Sequence, residues 1–147
     1  MTIVDGTAFA VLLVEDDPGD VLITREALSG SAVEHDIHVV GDGEQAIAFL
    51  HQEGEHTDAP RPDLILLDLN LPRLDGREVL QIVKEDDSLR RIPVVVLTTS
   101  KSEEDISRSY DLHANAYVVK PSDVGDFQGV VREIDHFFSD VAAPPAG

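Results

Sequence analysis

Residues 12–20 read LLVEDDPGD. The apolar run that begins at Val11 ends at Val14, and Glu15, Asp16 and Asp17 follow without a break. Such a run suits a strand buried on both faces. Asp17 suits the N-cap of a helix, and Pro18 its first turn, where the missing N–H costs nothing. One short stretch thus predicts a buried strand, a sharp turn and a helix. It also poses a problem: three carboxylates beside a hydrophobic core repel one another, and each costs more as water is excluded.

The same alternation continues along the chain. Strand-like runs are AVLLVE (10–15), HDIHVV (35–40), DLILLD (63–68), PVVVLT (93–98) and AYVV (116–119). Between them lie helical patterns. The first follows Asp17 and closes at Gly30, the second covers 43–52, and the third runs from Asp75 to about Asp86 with Val79, Leu80, Ile82 and Val83 inward. The fourth opens with a capping-box pattern at Ser102–Asp105 and continues to Leu112. The fifth spans about 123–140, with Phe127, Val130, Val131, Ile134, Phe137 and Phe138 at helical spacing. Strict βα alternation implies an α/β fold, a five-stranded parallel sheet doubly wound with helices on both faces. The expected division is an N-terminal extension (1–7), one domain (8–140) and a disordered tail (141–147).

Composition narrows the function. The chain has 147 residues, no cysteine, and 29 acidic against 11 basic residues, a formal charge of −18. Disulfides and thiolate metal sites are excluded. No signal peptide or membrane-length apolar run is visible, so a cytoplasmic protein without membrane contact is expected. A surface this acidic offers nucleic acid no basic stripe. Aspartate dominates the acids and lysine occurs only three times, a bias expected of a halophilic source, where salt screens self-repulsion.

Ligands of open α/β sheets bind beyond the carboxyl ends of the strands. Here those ends carry Glu15-Asp16-Asp17, Asp68, Thr98-Thr99 and Lys120. Each alone has an ordinary explanation as a cap, a strand former or a solvated charge; together they form a chemical set. Oxygen donors at one edge suit a hard cation, and Mg²⁺ accepts two carboxylates, a carbonyl and retained waters. A carboxylate beside Mg²⁺ can act as a nucleophile and form an acyl phosphate. Asp68, on the central strand, is the natural nucleophile, with Lys120 and Thr98 placed to neutralise and hydrogen-bond phosphoryl oxygens.

LLVEDD, LILLDLNLPRLDG, VVVLTTS and AYVVKP resemble, in order and spacing, the four motifs of the receiver domain of two-component response regulators. The resemblance covers about residues 8–140 and implies the flavodoxin-like strand order 2-1-3-4-5. It implies that Asp68 is the phospho-acceptor and Asp16 a direct Mg²⁺ ligand. Glu15 would act through water, and Asn70 would offer its backbone carbonyl. Thr98 and Tyr117 would be the switch pair, the Tyr117 ring turning from solvent to the interior on phosphorylation. Lys120 would pair with the phosphate, aimed by a cis Lys120–Pro121 bond. The implied partners are a histidine kinase or phosphotransfer protein, a downstream protein target, and a second copy docked through the fourth helix, fifth strand and fifth helix. The implied chemistry is the chain's own phosphorylation and dephosphorylation, with no separate substrate. The stretch EGEHTDAPRP (53–62) resembles an insertion in stand-alone receivers paired with phytochrome-type kinases, although a surface loop without a role explains it equally well.

Rival readings fit less well. A phosphatase of haloacid-dehalogenase type needs a second aspartate two residues after the nucleophile, and Asn70 stands there. A flavodoxin-like cofactor binder needs a phosphate loop where three carboxylates stand. A pseudo-receiver scaffold should have lost part of the set. A DNA-binding regulator needs an effector domain, and no foldable segment is expected after residue 140.

Overall fold

The computed structural model describes residues 8–145. The expected extension over residues 1–7 lies outside the described residues, as do residues 146 and 147 of the tail. Five strands are observed: β1 (Phe9–Val14), β2 (His35–Val40), β3 (Leu64–Leu67), β4 (Val94–Thr98) and β5 (Ala116–Val119). They alternate with α1 (Pro18–Ser29), α2 (Gly43–Leu50), α3 (Gly76–Glu85), α4 (Glu103–Asp111) and α5 (Val124–His136). All strand pairs are parallel, and the order is β2-β1-β3-β4-β5. No helix among the described residues is long and apolar enough to cross a membrane.

The sheet is covered on both faces because its inner strands β1, β3 and β4 are apolar at nearly every position. Successive side chains point to opposite faces. Leu12, Val14, Ile65, Leu67, Val94 and Val96 pack with Ala46 and Phe49 of α2 and Val79, Leu80 and Val83 of α3. Val11, Leu13, Leu64, Leu66, Val95 and Leu97 pack instead with Ala27 and Leu28 of α1 and Phe127 and Val131 of α5. Ile82, expected inward, is half-buried at the edge of its helix.

The helix starts follow their caps. Asp17 Oδ1 accepts from the Gly19 and Asp20 amides, with Pro18 opening α1. Asp75 and Glu78 form a capping box on α3. On α4 only half of the expected box is present: Ser102 accepts from the Asp105 amide, but the Asp105 carboxylate does not return to Ser102. Arg77 takes that carboxylate in a bidentate pair at 2.6 and 2.7 Å, and charge-assisted forks are the stronger bonds. The fifth helix is shorter than its apolar pattern: after His136 the chain widens into a π-type turn over Phe137–Val141.

The 53–62 stretch makes a short 3₁₀ turn at Gly54–His56. His56 Nε2 lies 2.7 Å from Gln45 Oε1, and His51 pairs with Asp86 at 3.0 Å. Gly76 places the turn after β3. A β-carbon there would meet the Asp68 carbonyl oxygen at 2.2 Å, so only glycine lets α3 begin this close to the end of β3.

Candidate functional site

The parallel register brings the strand ends level. Val14 pairs with Leu67, and Thr98 with Val119, so Glu15, Asp68, Thr98 and Lys120 emerge at one edge. Backbone bonds extend the ladder one residue into the site: Asp68 N–H to Val14 O (3.1 Å), Glu15 N–H to Val40 O (3.0 Å) and Lys120 N–H to Thr98 O (2.7 Å).

Lys120 lies at the centre. Its ammonium donates to Glu15 Oε1 at 2.6 Å, Asp20 Oδ2 at 2.8 Å and Asp68 Oδ2 at 3.2 Å. The Lys120, Glu15 and Asp68 side chains are all buried. Burial alone would depress the ammonium; the bonds from Asp20 and Glu15 outweigh it and hold the group above its usual range. Burial raises Glu15 to about 7, against the opposing pull of Lys120 and with the help of the neighbouring Asp68 charge. Lysine thus meets the charge of Glu15, the one buried member of the acidic triplet, while Asp16 and Asp17 are exposed. Asp20 is a partner the sequence reading missed. Its signal was its place one turn after the Asp17 cap, where a first-turn side chain can face the strand ends.

Lys120 reaches the acids with the bond that follows it, to Pro121, trans, since no peptide among the described residues is cis. The cis expectation is corrected: three carboxylates draw the ammonium into the site, and trans is the ordinary state of such bonds.

Glu15, Asp16 and Asp68 each offer a carboxylate oxygen, and these oxygens all lie within 4.8 Å of one another. The donor set is all oxygen and one member, Asp16, is exposed, which fits a hard divalent cation that keeps part of its water. Asn70 is exposed, and its amide donates to Asp68 Oδ1 at 3.3 Å. Asp17 serves as the helix cap.

Thr98 is fully buried, its Oγ1 3.4 Å from the Ser100 amide. Tyr117 is half-buried against the α2–α3 side of the core, and its hydroxyl donates to the Ser100 carbonyl at 3.0 Å. The ring therefore stands inward in this structure. The loop that receives it is tied down: Ser100 Oγ donates to Asp105 Oδ2 at 2.7 Å, and Asp105 is clasped by Arg77. That clasp holds the Asp105 carboxyl at about 2.

Comparison with known proteins agrees with this arrangement. Residues 11–132 match the response regulator receiver domain. The chain is 47% identical over 136 residues to response regulator Rcp1 of Synechocystis, covering 92% of each. It is 40% identical over 131 residues to the probable methanogenesis regulatory protein FilR2 of Methanothrix harundinacea, covering 88% of this chain and 83% of that protein. The fold superposes on the phosphorylated cyanobacterial phytochrome response regulator RcpA with a TM-score of 0.92 at 49% identity, over 95% of this chain and 99% of that one. On the Mn²⁺-bound form of Rcp1 the TM-score is 0.90 at 47% identity, over 93% and 99%. Strand order, site and similarity lead to one conclusion: this chain belongs to the response regulator receiver domain family.

Proposed function

We propose that this chain is a single-domain response regulator that takes a phosphoryl group from a histidine kinase or phosphotransfer protein onto Asp68. The observation that carries this reading is the convergence of Asp68 with Lys120 at 3.2 Å and with Glu15 and Asp16 in one carboxylate group. The likeness to phosphorylated RcpA supports it. An Asp68 oxygen bonds to phosphorus as the donor's P–O or P–N bond breaks. Lys120 pairs with a phosphoryl oxygen, and Thr98 hydrogen-bonds another. Mg²⁺, held by Asp16, Asp68, the Asn70 carbonyl and Glu15 through water, would supply charge neutralisation for the transferring oxygens. The setting is the cytoplasm. We assign phosphorylation-dependent contact, with a downstream protein or a second copy, to the face of α4, β5 and α5, where Tyr110 and Val124 are exposed. The likeness to the cyanobacterial phytochrome response regulator RcpA favours a light-sensing kinase as the donor.

The metal assignment is tested by stability. The site is assembled only by folding, so Mg²⁺ at about 100 times its dissociation constant should add about 2.7 kcal/mol. Asp16→Ala should erase that increment in thermal melts. Equal Mg²⁺ effects in both proteins would remove Asp16 from the metal site.

Thr98→Ala should still accept phosphate yet respond weakly at a distance. The phosphoryl group biases a two-state element through the Thr98 bond, worth about 1.5–3 kcal/mol to a charged acceptor. Chemical-shift changes around Tyr117 on binding beryllofluoride should therefore shrink in the variant; undiminished changes would take the signal away from Thr98.

The acidic surface supports a halophilic setting. Self-repulsion at −18 should unfold much of the protein as KCl falls from molar to about 0.1 M, where the Debye length is about 10 Å. A flat circular-dichroism titration would refute this.

A further inference from the structure

Asp20 has no part in the proposed chemistry, yet it makes the second-shortest bond to the group that does, 2.8 Å from Lys120 Nζ. An ammonium has three N–H bonds, and the three groups facing this one fill them: Glu15 from the end of β1, Asp68 from the end of β3, and Asp20 from the first turn of α1. The Asp68 bond is the longest of the three. The ammonium is thus drawn most tightly to Glu15 and Asp20, rather than to the residue on which a phosphoryl group would form.

Two effects of Asp20 act in the same direction when an anion arrives at Asp68. Its carboxylate pulls the ammonium toward α1, away from the phosphoryl oxygens. Its own charge, at the rim of a cluster that already holds Glu15, Asp16 and Asp68, repels the incoming group. The contact is largely screened from water, with the Lys120 side chain 5% and the Asp20 side chain 24% exposed, so neither effect is lost to bulk dielectric. Asp20 is also fixed in place, because its amide donates to the Asp17 cap at 3.2 Å.

We propose that Asp20 is a positioning residue that competes with the phosphoryl group for the Lys120 ammonium and so limits how tightly the site holds that group. This rests on the reading of Lys120 as the phosphoryl-pairing residue. Asp20 touches no reacting atom; it acts through its hold on Lys120 and, at a distance, through its own charge. The consequence is a receiver set below its attainable phosphoryl affinity, with the setting written on α1.

The test is calorimetric titration of the full chain with beryllofluoride in saturating Mg²⁺ and molar KCl. Asp20→Asn keeps the shape and removes the charge, and should tighten binding by about tenfold. Asp20→Ser should act likewise, and Asp20→Glu, which keeps the charge, should stay near wild type. In a Lys120→Gln background the same Asp20→Asn change should tighten binding by clearly less than it does with Lys120 present, because only the direct repulsion by the Asp20 charge remains once the partner is gone. Unchanged or weaker binding in Asp20→Asn would overturn the proposal, and so would full tightening in the Lys120→Gln background. Lys120→Gln that binds as tightly as wild type would instead overturn the parent reading of Lys120.

Discussion

Asp68→Asn protein incubated with acetyl phosphate and Mg²⁺ should gain no phosphoryl group, whereas the wild type gains one, acid-labile and bound as an acyl phosphate. The proposed reaction joins an Asp68 carboxylate oxygen to phosphorus and expels acetate. An amide offers no anionic oxygen for that attack, so the loss should be complete rather than partial. Asp68 is 7% exposed and ends the central strand, where its amide donates to Val14 O at 3.1 Å. Asparagine keeps the shape and that backbone bond, and it removes one charge from a crowded group. The variant should therefore stay folded, which separates loss of chemistry from loss of structure. Intact-mass spectrometry decides the matter. A phosphoryl group still present on the Asn protein would place the nucleophile on another carboxylate, with Asp16 the first to examine.

Lys120→Met should be the most destabilising single change at the site. It keeps the length and apolar stem of the side chain but leaves Glu15 and Asp68 buried without their counter-charge. Breaking a buried pair in this way costs about 3–5 kcal/mol, and in a domain of this size each kcal/mol lowers Tm by about 2–4 °C. The deficit should depend on pH. Glu15 is raised to about 7 even with the lysine present, and removing the ammonium raises it further. A carboxyl raised on folding stabilises below its unfolded value and loses that stabilisation as pH rises through its folded value. The variant should thus approach wild type near pH 5 and fall furthest behind it above about pH 7. Saturating Mg²⁺ should recover part of the difference. Melting curves that stay parallel across this range would mean that Lys120 does not neutralise Glu15.

Local signals in the chain were enough for the architecture, and non-local pairings were not. Runs such as LLV and LILL, closed by Asp17-Pro18 or Asp75-Gly76, announce a buried strand and the helix after it. Even β2, whose HDIHVV is half polar, falls at residues 35–40, because an edge strand needs only partial burial. The strand-end rule then gathers Glu15, Asp16, Asp68, Thr98 and Lys120 without any knowledge of side-chain positions. What escaped depends on which groups meet in space. The countercharge of the acidic triplet was read as the task of a metal alone, yet Lys120, 105 residues from Glu15 in sequence, supplies it to Glu15, the buried member. Asp20 looked like an ordinary first-turn acid. Arg77 and Asp105 lie on different helices, so their pair, which uses up half of the expected α4 capping box, leaves no periodic trace. The resemblance itself misled on the Lys120–Pro121 bond, which is trans.

The alternation of side chains across the sheet has a consequence for descent. The two hydrophobic clusters share no residue, and substitutions without shared partners combine nearly additively. A lineage can therefore repack the α1–α5 side, and with it whatever that surface recognises, without disturbing the α2–α3 side against which Tyr117 rests. The acidic edge is where the two inheritances meet, since Lys120 joins α1 to the strand ends. Change can accumulate on either face at its own pace, but the acids from α1, β1 and β3 that share the Lys120 ammonium are coupled and change together.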